Sequence, residues 1–363
     1  MRTTKVQKIC LIIPSLRNGG SERVMSELAN YWSKNPLLEI YLILLTNQKQ
    51  FYTIDPRVHI ITPKNNYKRN FISRSLFKYW TLFFIRSTCL KIQPASILSF
   101  NERYNNIVLL ALIGLKFKVY VSDRNNPFMK IGILQNFLRN KLYKNAAGII
   151  AQTQRANTVL GKNTKNKNIK IIANPLREIE NKKLARQQFE KKIILNVGRN
   201  VAQKNQIELI DIFSKCDYSN WILKIVGSGP LNSALIKKAQ ELGIEQHVQI
   251  IKFTKSIDVY YSEADIFAFT SLYEGFPNAL VEAMAHGLAC ISYDCPTGPS
   301  DIINNGVNGC LIPLSNMKSY SENLNLIMSN DDLRIQYSKN ATDVKGTFSI
   351  ERIANNYLHF ITE

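Results

Sequence analysis

The sequence predicts an α/β protein of two doubly wound domains facing across a cleft, and three observations carry that prediction. Short apolar runs alternate with helix-forming stretches along the whole chain, the pattern of parallel strands joined by crossover helices. The alternation lapses in a mostly polar stretch at residues 177–192 and restarts at Ile193. At 363 residues the chain is also too long for one typical core, since domains mostly hold about 100–200 residues. Two doubly wound sheets in succession place their ligand sites beyond strand ends, with a cleft expected between the domains.

Taken in order, residues 9–14 form the first strand, and the loop Arg17-Asn-Gly-Gly-Ser-Glu22 leads into a helix at 22–31 with Val24, Leu28 and Tyr31 on one stripe. Strands follow at 39–45 and 58–61. Residues 64–92 interleave Lys68, Arg69, Arg74, Lys78 and Arg86 with Phe71, Leu76, Phe77, Trp80, Phe83, Phe84 and Ile85. Such a helix either lies in a membrane interface or packs in the core with a solvated basic edge, and the charge of this half of the chain favours the interface. Next come a strand at 96–100, a helix around 107–114, a strand at 118–122, the loop Asp123-Arg-Asn-Asn-Pro127, a helix at 131–143, a strand at 148–151, a helix at 154–160 and a basic turn at 161–170. The first domain is bounded at 1–178 and the linker at 179–192.

The second domain, 193–345, opens with a strand at 193–197, the loop Gly198-Arg-Asn-Val-Ala-Gln-Lys-Asn205 and a helix at 206–213. A strand at 221–226 runs through Gly227-Ser-Gly-Pro230 into a helix at 231–242. After a strand at 248–251 and a helix at 256–264, an apolar strand at 265–270 ends in Ser271-Leu-Tyr-Glu-Gly-Phe-Pro277. Gly275 and Pro277 suit a tight strand-to-helix turn, and Asn278-Ala-Leu-Val-Glu-Ala-Met-Ala285 is a strong helix former. A strand at 289–292, the turn-rich Tyr293-Asp-Cys-Pro-Thr-Gly-Pro-Ser300, a strand at 310–312 and helices at 319–329, 331–341 and 350–360 close the chain. The last helix, 346–363, is expected to pack back on the first domain.

Composition narrows the function. Hydrophobic residues at 45% and charged residues at 20% describe a globular chain. The net charge of +20 is uneven: residues 1–178 hold 29 Lys and Arg against 7 Asp and Glu, and residues 179–363 hold 18 against 20. The basic half therefore suits nucleic acid, an anionic membrane surface or a phosphorylated substrate. Cys10, Cys89, Cys216, Cys290, Cys295 and Cys310 show no CxxC spacing, and the four histidines are scattered. They read as free cytosolic thiols, with no metal site. The short apolar start reads as a strand instead of a signal peptide, and no stretch reaches the ~18 apolar residues of a spanning helix.

The candidate chemistry gathers on strand-end loops. Arg199 and Lys204 share one loop, Gly227 and Gly229 lie on a second, Gly275 on a third and Gly298 on a fourth. Loops on one sheet edge can build a diphosphate pocket in which cations neutralise oxygens and helix N-termini offer N–H groups. Glu274 and Glu282 flank the Gly-Phe-Pro turn, one before it and one within the following helix. In the first domain the Gly19–Gly20 loop ahead of a helix is a generic anion site, without the GxGxxG of a dinucleotide fold.

Together Arg199 to Lys204, Gly227-Ser-Gly-Pro230, Glu274-Gly-Phe-Pro-Asn-Ala-Leu-Val-Glu282 and Cys295-Pro-Thr-Gly-Pro-Ser-Asp-Ile-Ile303 resemble the retaining, nucleotide-sugar-dependent glycosyltransferases of the GT-B fold, family 4 or group 1, with Gly19-Gly20-Ser-Glu22 resembling their N-terminal loop. The two glutamates eight positions apart are that family's signature. The resemblance implies that Glu274 sits by the donor sugar, that Glu282 binds the ribose hydroxyls and that Arg199 and Lys204 hold the diphosphate. It puts Gly275, Phe276, Pro277, Asn278, Ala279 and Leu280, with Gly227 and Gly229, along the nucleotide sugar, and Gly19 and Gly20 near donor and acceptor. A histidine that many members carry in the loop after a first-domain strand is replaced here around Arg124 and Asn125, which with Glu22 are candidates for the acceptor or donor-sugar side. Ser228 stands where an acidic residue is common.

What the resemblance implies is a metal-independent, cofactor-free hexosyltransferase that moves a hexose or N-acetylhexosamine from a UDP-sugar, with retention, to a polyprenyl-diphosphate-linked saccharide in bacterial surface polysaccharide biosynthesis. The enzyme is then cytoplasmic and peripheral on an anionic inner membrane face. The rival readings are a soluble acceptor, an epimerase or phosphorylase on the same fold, and a basic nucleic-acid-binding protein. The last finds no helix-turn-helix, RNP-like or zinc-finger pattern to support it, and no nucleic acid partner is expected.

Overall fold

A computed structural model describes residues 6–64, 71–128, 132–179 and 191–363, with the backbone alone for 71–78. Lys68 and Arg69, the side chains of Phe71, Arg74, Leu76, Phe77 and Lys78, and most of the segment read as a linker lie outside the described residues. The chain divides into two compact units, Met1–Pro175 with Phe348–Glu363, and Leu176–Thr347.

The first unit runs β1 (Gln7–Ile13), α1 (Gly20–Trp32), β2 (Leu38–Leu44), β3 (His59–Ile61), α2 (Phe71–Ile92), β4 (Ser96–Phe100), α3 (Glu102–Ala111), β5 (Lys118–Ser122), α4 (Ile133–Leu142), β6 (Gly148–Ala151), α5 (Gln154–Thr164) and β7 (Ile169–Ile171). Its strands pair in parallel in the order β3-β2-β1-β4-β5-β6-β7. A parallel sheet is covered on both faces, so its inner strands are apolar throughout instead of alternating. Ile9 to Ile13 of β1 and Ile97 and Leu98 of β4 are accordingly buried. The order reverses between β1 and β4, so the loops leaving those two strands border the switch point, where ligands bind in open sheets.

In α2, Ile85, Cys89 and Ile92 join the core while Tyr79 and Phe83 are exposed, so the described part packs inward and still shows aromatic side chains outward. Arg86 donates from Nη1 to the carbonyls of Ala111 and Ile113, each at 3.0 Å, satisfying acceptors left over at the end of α3. Three elements of this unit differ from the sequence reading. The segment read as a basic turn begins as the last turn of α5, which runs on to Thr164, and ends in β7, a three-residue edge strand too short to show a pattern. Helix α3 begins at Glu102, five residues earlier than its apolar stripe, because its first turns bury polar side chains, Glu102, Asn105 and Asn106.

The second unit runs β8 (Lys192–Val197), α6 (Gln206–Phe213), β9 (Trp221–Val226), α7 (Asn232–Glu241), β10 (Val248–Ile251), α8 (Ile257–Glu263), β11 (Ile266–Phe269), α9 (Asn278–Ala285), β12 (Ala289–Asp294), β13 (Cys310–Pro313), α10 (Met317–Ser329), α11 (Asp331–Ala341) and α12 (Val344–Thr347). The parallel order is β10-β9-β8-β11-β12-β13. Here the switch point lies between β8 and β11, which pair through Ile194 with Ile266 and Leu195 with Phe267. Leu195, Leu223, Ile266, Phe267 and Ile291 are fully buried in that sheet.

The chain then returns to the first unit as α13 (Ile350–Thr362), capped by Ser349, whose hydroxyl accepts from Arg352 N. Trp32 Nε1 donates to the Ala354 carbonyl at 3.1 Å, and the Phe360 ring meets Tyr120 edge-on at 5.3 Å. Among the described residues no helix is long and apolar enough to cross a membrane. All six cysteines are buried free thiols.

Candidate functional site

Strand order alone puts two loops of the second unit side by side. The loop leaving β8 carries Gly198 to Asn205, and the loop leaving the neighbouring β11 carries Thr270 to Pro277. They are laced together: Leu272 N donates to Gln203 O at 2.8 Å, Thr270 Oγ1 to Lys204 O at 3.0 Å, and Gln203 Nε2 to Tyr273 O at 2.7 Å. The outcome is an ion pair between the two loops, Lys204 Nζ to Glu274 Oε1 at 2.6 Å. Gln203 Nε2 reaches Glu274 Oε2 at 3.4 Å.

Glu274 is only 6% exposed. A carboxylate so placed needs a charged partner and further donors, because burial alone would cost it several kcal/mol. Lys204 supplies the charge, and its stem crosses Gly198 while Nζ stands 5.5 Å from the Phe269 ring centre. The Glu274 backbone is tied as well, since Thr297 Oγ1 donates to its carbonyl. Burial, and the Glu274 charge after it, push the neighbouring Cys295 thiol up to about 12. Arg199 lies on the same β8 loop, yet its side chain is exposed and makes no ion pair among the described residues. The structure thus joins Lys204 to Glu274 and leaves Arg199 apart.

The β9 loop packs backbone to backbone against the β8 loop. A Cβ on Gly227 would stand 1.7 Å from the Gly198 carbonyl oxygen, and one on Gly229 would stand 2.2 Å from the Asn200 carbonyl oxygen. Asn200 is fully buried between them, donating from its backbone to Ser228 O at 3.1 Å and from Nδ2 to Asn232 Oδ1 at 3.1 Å. These two glycines are therefore required for the loops to meet at all. Gly275, Phe276 and Pro277 form the turn into α9, with Asn278, Ala279 and Leu280 as its first residues. Gly298 has φ +106°, and a Cβ there would lie 2.3 Å from Pro277 Cδ, so the loop after β12 closes over that turn.

Glu282 stands one turn further along α9, in a second polar cluster. Arg177 Nε lies 3.2 Å from its Oε2, and Tyr261 OH donates to the same oxygen at 3.3 Å. Arg177 forks onto Asp258, with Nη1 at 2.9 Å from Oδ2 and Nη2 on Oδ1. His286 Nε2 lies 3.0 Å from Asp258 Oδ1, and its Nδ1 is 2.8 Å from the Glu282 carbonyl. Although burial opposes it, the hydrogen bonds and charge of Arg177 hold the Asp258 carboxyl below its usual range. Arg177, Asp258, Tyr261, His286 and Gln203 were not found from the sequence. Arg177 sits in the polar stretch read as a linker, 81 residues from Asp258, and no local pattern joins them.

In the first unit Gly19 precedes α1 and accepts from Tyr52 OH at 3.0 Å, Gly20 is the first helical residue, and Glu22 folds its carboxylate back over Gly19. Burial raises Glu22 above the usual carboxylate range, against the pull of its own backbone N–H and Arg124. Arg124 is 7% exposed. Its Nη1 donates to Tyr357 OH at 3.0 Å, its Nη2 to Asn174 Oδ1, and its guanidinium covers the Phe100 ring at 4.3 Å. Asn125 donates from N and Nδ2 to the buried Glu102 carboxylate, at 2.7 and 3.0 Å. Arg124 and Asn125 are thus packed into the unit's framework. Among the described residues, no group of three or more His, Cys, Asp or Glu side chains is placed to hold a metal ion.

Against known proteins, residues 177–344 match the family model "Glycosyl transferases group 1". The amylovoran biosynthesis glycosyltransferase AmsD of Erwinia amylovora is 27% identical, over 96% of this chain and 98% of its own. The N-acetylgalactosamine-N,N′-diacetylbacillosaminyl-diphospho-undecaprenol 4-alpha-N-acetylgalactosaminyltransferase of Campylobacter jejuni is 26% identical, over 98% of this chain and all of its own. Anabaena HepE, solved in complex with UDP-glucose, superposes with a TM-score of 0.77 at 17% identity, over 97% of this chain and 98% of that one, and shows the same fold. With the two carboxylates and the loops that carry them already in place, residues 177–344 belong to the group 1 glycosyl transferases, and the chain as a whole is a GT-B glycosyltransferase related to the enzymes of bacterial surface-polysaccharide biosynthesis.

Proposed function

We propose that the protein transfers a hexose or N-acetylhexosamine from a UDP-sugar to a lipid-linked saccharide, with retention of anomeric configuration, in the building of a bacterial surface polysaccharide. The observation that carries this reading is the Lys204–Glu274 pair at the switch point of the second sheet. An ammonium has three donors and Glu274 occupies one, which leaves two for phosphate oxygens. In this reading Glu274 holds donor-sugar hydroxyls, Lys204 and Arg199 take the diphosphate, and the turn at 275–280 with the N-terminus of α9 lines the donor. Glu282 takes the ribose hydroxyls. Gly19 and Gly20 supply backbone near the reacting sugar, and Gly227 and Gly229 hold the pocket's loops together.

The chemistry breaks the bond from C1 to the diphosphate oxygen and forms one from C1 to the acceptor oxygen, through an oxocarbenium-like state. The acceptor proton passes to the departing diphosphate, whose growing charge the two cations stabilise.

The acceptor class is supported by the relative that acts on a diphospho-undecaprenol-linked glycan. A place on an anionic membrane surface, at its cytoplasmic face, is supported by the excess of 29 cationic over 7 acidic residues in 1–178 and by the exposed apolar side chains of α4. Ile133 is 93% exposed, Leu134 68% and Phe137 56%, with Lys141 over the Phe137 ring at 5.8 Å. Apolar tips beside cations suit a headgroup region.

A donor screen tests the proposal. Melting temperature and hydrolysis are followed with UDP-glucose, UDP-galactose, UDP-N-acetylglucosamine, UDP-N-acetylgalactosamine, GDP-mannose and the free diphosphates. One or more UDP-sugars should stabilise the protein and be turned over, and GDP-mannose should not. A protein that GDP-mannose alone stabilises, or that no UDP-sugar stabilises, overturns it.

A further inference from the structure

We infer that Arg177 is a positioning residue for the nucleoside end of the donor: it fixes the Glu282 carboxylate in the one orientation that can accept the ribose hydroxyls. The inference rests on the reading of Glu282 given above. It starts from the way Arg177 is held. Its two terminal nitrogens both go to Asp258, and a two-point grip sets the plane of a guanidinium as a single contact does not. The remaining edge nitrogen, Nε, then lies 3.2 Å from Glu282 Oε2. Tyr261 OH reaches the same oxygen at 3.3 Å, and its fully buried ring stacks on His286 with centres 4.9 Å apart.

Oε2 is therefore held by the Tyr261 hydroxyl and by the Arg177 charge 3.2 Å away, while Oε1 has no protein partner among the described residues. A free glutamate side chain rotates about three bonds, and ordering it at the moment of binding would offset part of the gain from the ribose. Here that ordering is already complete. The α9 backbone is anchored from the same side, since His286 Nδ1 meets the Glu282 carbonyl at 2.8 Å while its Nε2 lies 3.0 Å from Asp258. Arg177, Asp258, Tyr261 and His286 thus make one cradle. Arg177 alone in it joins α8, through Asp258, to the Glu282 carboxylate by charge.

The test is the affinity of the full-length protein for UDP against 2′,3′-dideoxy-UDP by titration calorimetry, in wild type, Arg177→Gln, Arg177→Lys and Glu282→Gln. Wild type should prefer UDP by roughly ten-fold or more, the worth of a charged hydrogen bond. Arg177→Gln should lower that preference to about two- to three-fold, as Glu282→Gln does, and the double variant should be no worse than Glu282→Gln alone. In turnover, Arg177→Gln should raise KM for the donor while kcat at saturation stays within about three-fold. Arg177→Lys, which keeps the charge and loses the fork, should fall between. A full wild-type preference in Arg177→Gln, with Glu282→Gln collapsed, overturns the inference and leaves the role of Glu282 standing. A full preference in Glu282→Gln itself removes the role of Glu282 and the inference with it. Should Arg177→Gln not fold, Arg177→Lys decides, since a preference and KM equal to wild type there would show that the fork positions nothing.

Discussion

At Glu274 and Lys204 the protein has set a charge pair where a ligand's own charges are expected, and the pair's energetics make a prediction. Breaking a buried pair from one side leaves the other charge uncompensated, typically at a cost of about 3–5 kcal/mol. Lys204→Ala leaves Glu274 with Gln203 at 3.4 Å as its side-chain donor. Transfer should fall by at least roughly ten-fold in Lys204→Ala and in Glu274→Ala, with circular dichroism unchanged. Near wild-type rates in folded protein would remove both from the site. A second residue makes a prediction about pH. Burial, then the nearby Glu102 carboxylate, push Asp123 up from 3.8 to about 7, against Arg139 and the hydroxyl of Tyr143. A carboxyl whose folded value lies above its unfolded one takes up a proton on folding between the two. Its contribution is complete below about pH 4 and is lost as pH rises towards 7. Asp123→Asn removes that titration, so its melting temperature should gain on wild type between pH 4 and 7 and hold a constant difference above. A difference that does not change with pH would show that Asp123 ionises equally in both states.

Among elements, α4 and the β9 loop show opposite uses of sequence. Helix α4 carries apolar side chains that the unit leaves exposed, Ile133, Leu134 and Phe137. Replacing all three by serine should leave the melting temperature nearly unchanged, because little packed surface is lost. Flotation with anionic liposomes should nevertheless weaken severalfold, and unchanged flotation would take α4 out of any membrane contact. The β9 loop has no spare room: Gly229→Ala drives a methyl group to 2.2 Å from the Asn200 carbonyl oxygen, so the loop must shift. It should lose stability and donor affinity together. What the sequence made legible follows from the same physics. The inner strands of both sheets were readable because a parallel sheet buried on both faces needs continuous apolar runs, while the edge strand β7, with partly exposed residues, was not. The turn at Gly275 and Pro277 was readable because few residues suit it. The start of α3 was hidden because Glu102, Asn105 and Asn106 are buried through hydrogen bonds, which no hydrophobic periodicity records. Arg177 was hidden for a related reason. Its meaning lies in partners 81 and 105 positions away, and its neighbours in sequence are polar and unpatterned.

On the scale of the whole molecule, the two units differ in how they are assembled from the chain, and that difference can be measured. The second unit is one continuous segment, Leu176–Thr347, whereas the first needs Phe348–Glu363 to return to it after the second is complete. Helix α13 contributes Ile353, Ala354, Tyr357, Phe360 and Ile361 to that core. Tyr357 also gives Arg124 one of its few hydrogen-bond partners, and Phe360 fills the space over Gly148 and Tyr120. Burying each large apolar side chain contributes about 1.5–3 kcal/mol, so the helix as a group rivals the 5–15 kcal/mol by which a whole domain is usually stable. A chain ended at Thr347 should therefore keep a cooperative melting transition from the second unit, and that transition should still shift upward with UDP. Amide exchange in β4, β5 and β6 should rise to unprotected rates, since Arg124 would be left buried with one partner gone and Trp32 Nε1 with none from Ala354. Added in trans, a peptide of residues 346–363 should restore part of the protection. Protected β4–β6 amides in the shortened chain would show that the first unit is stable without its last helix.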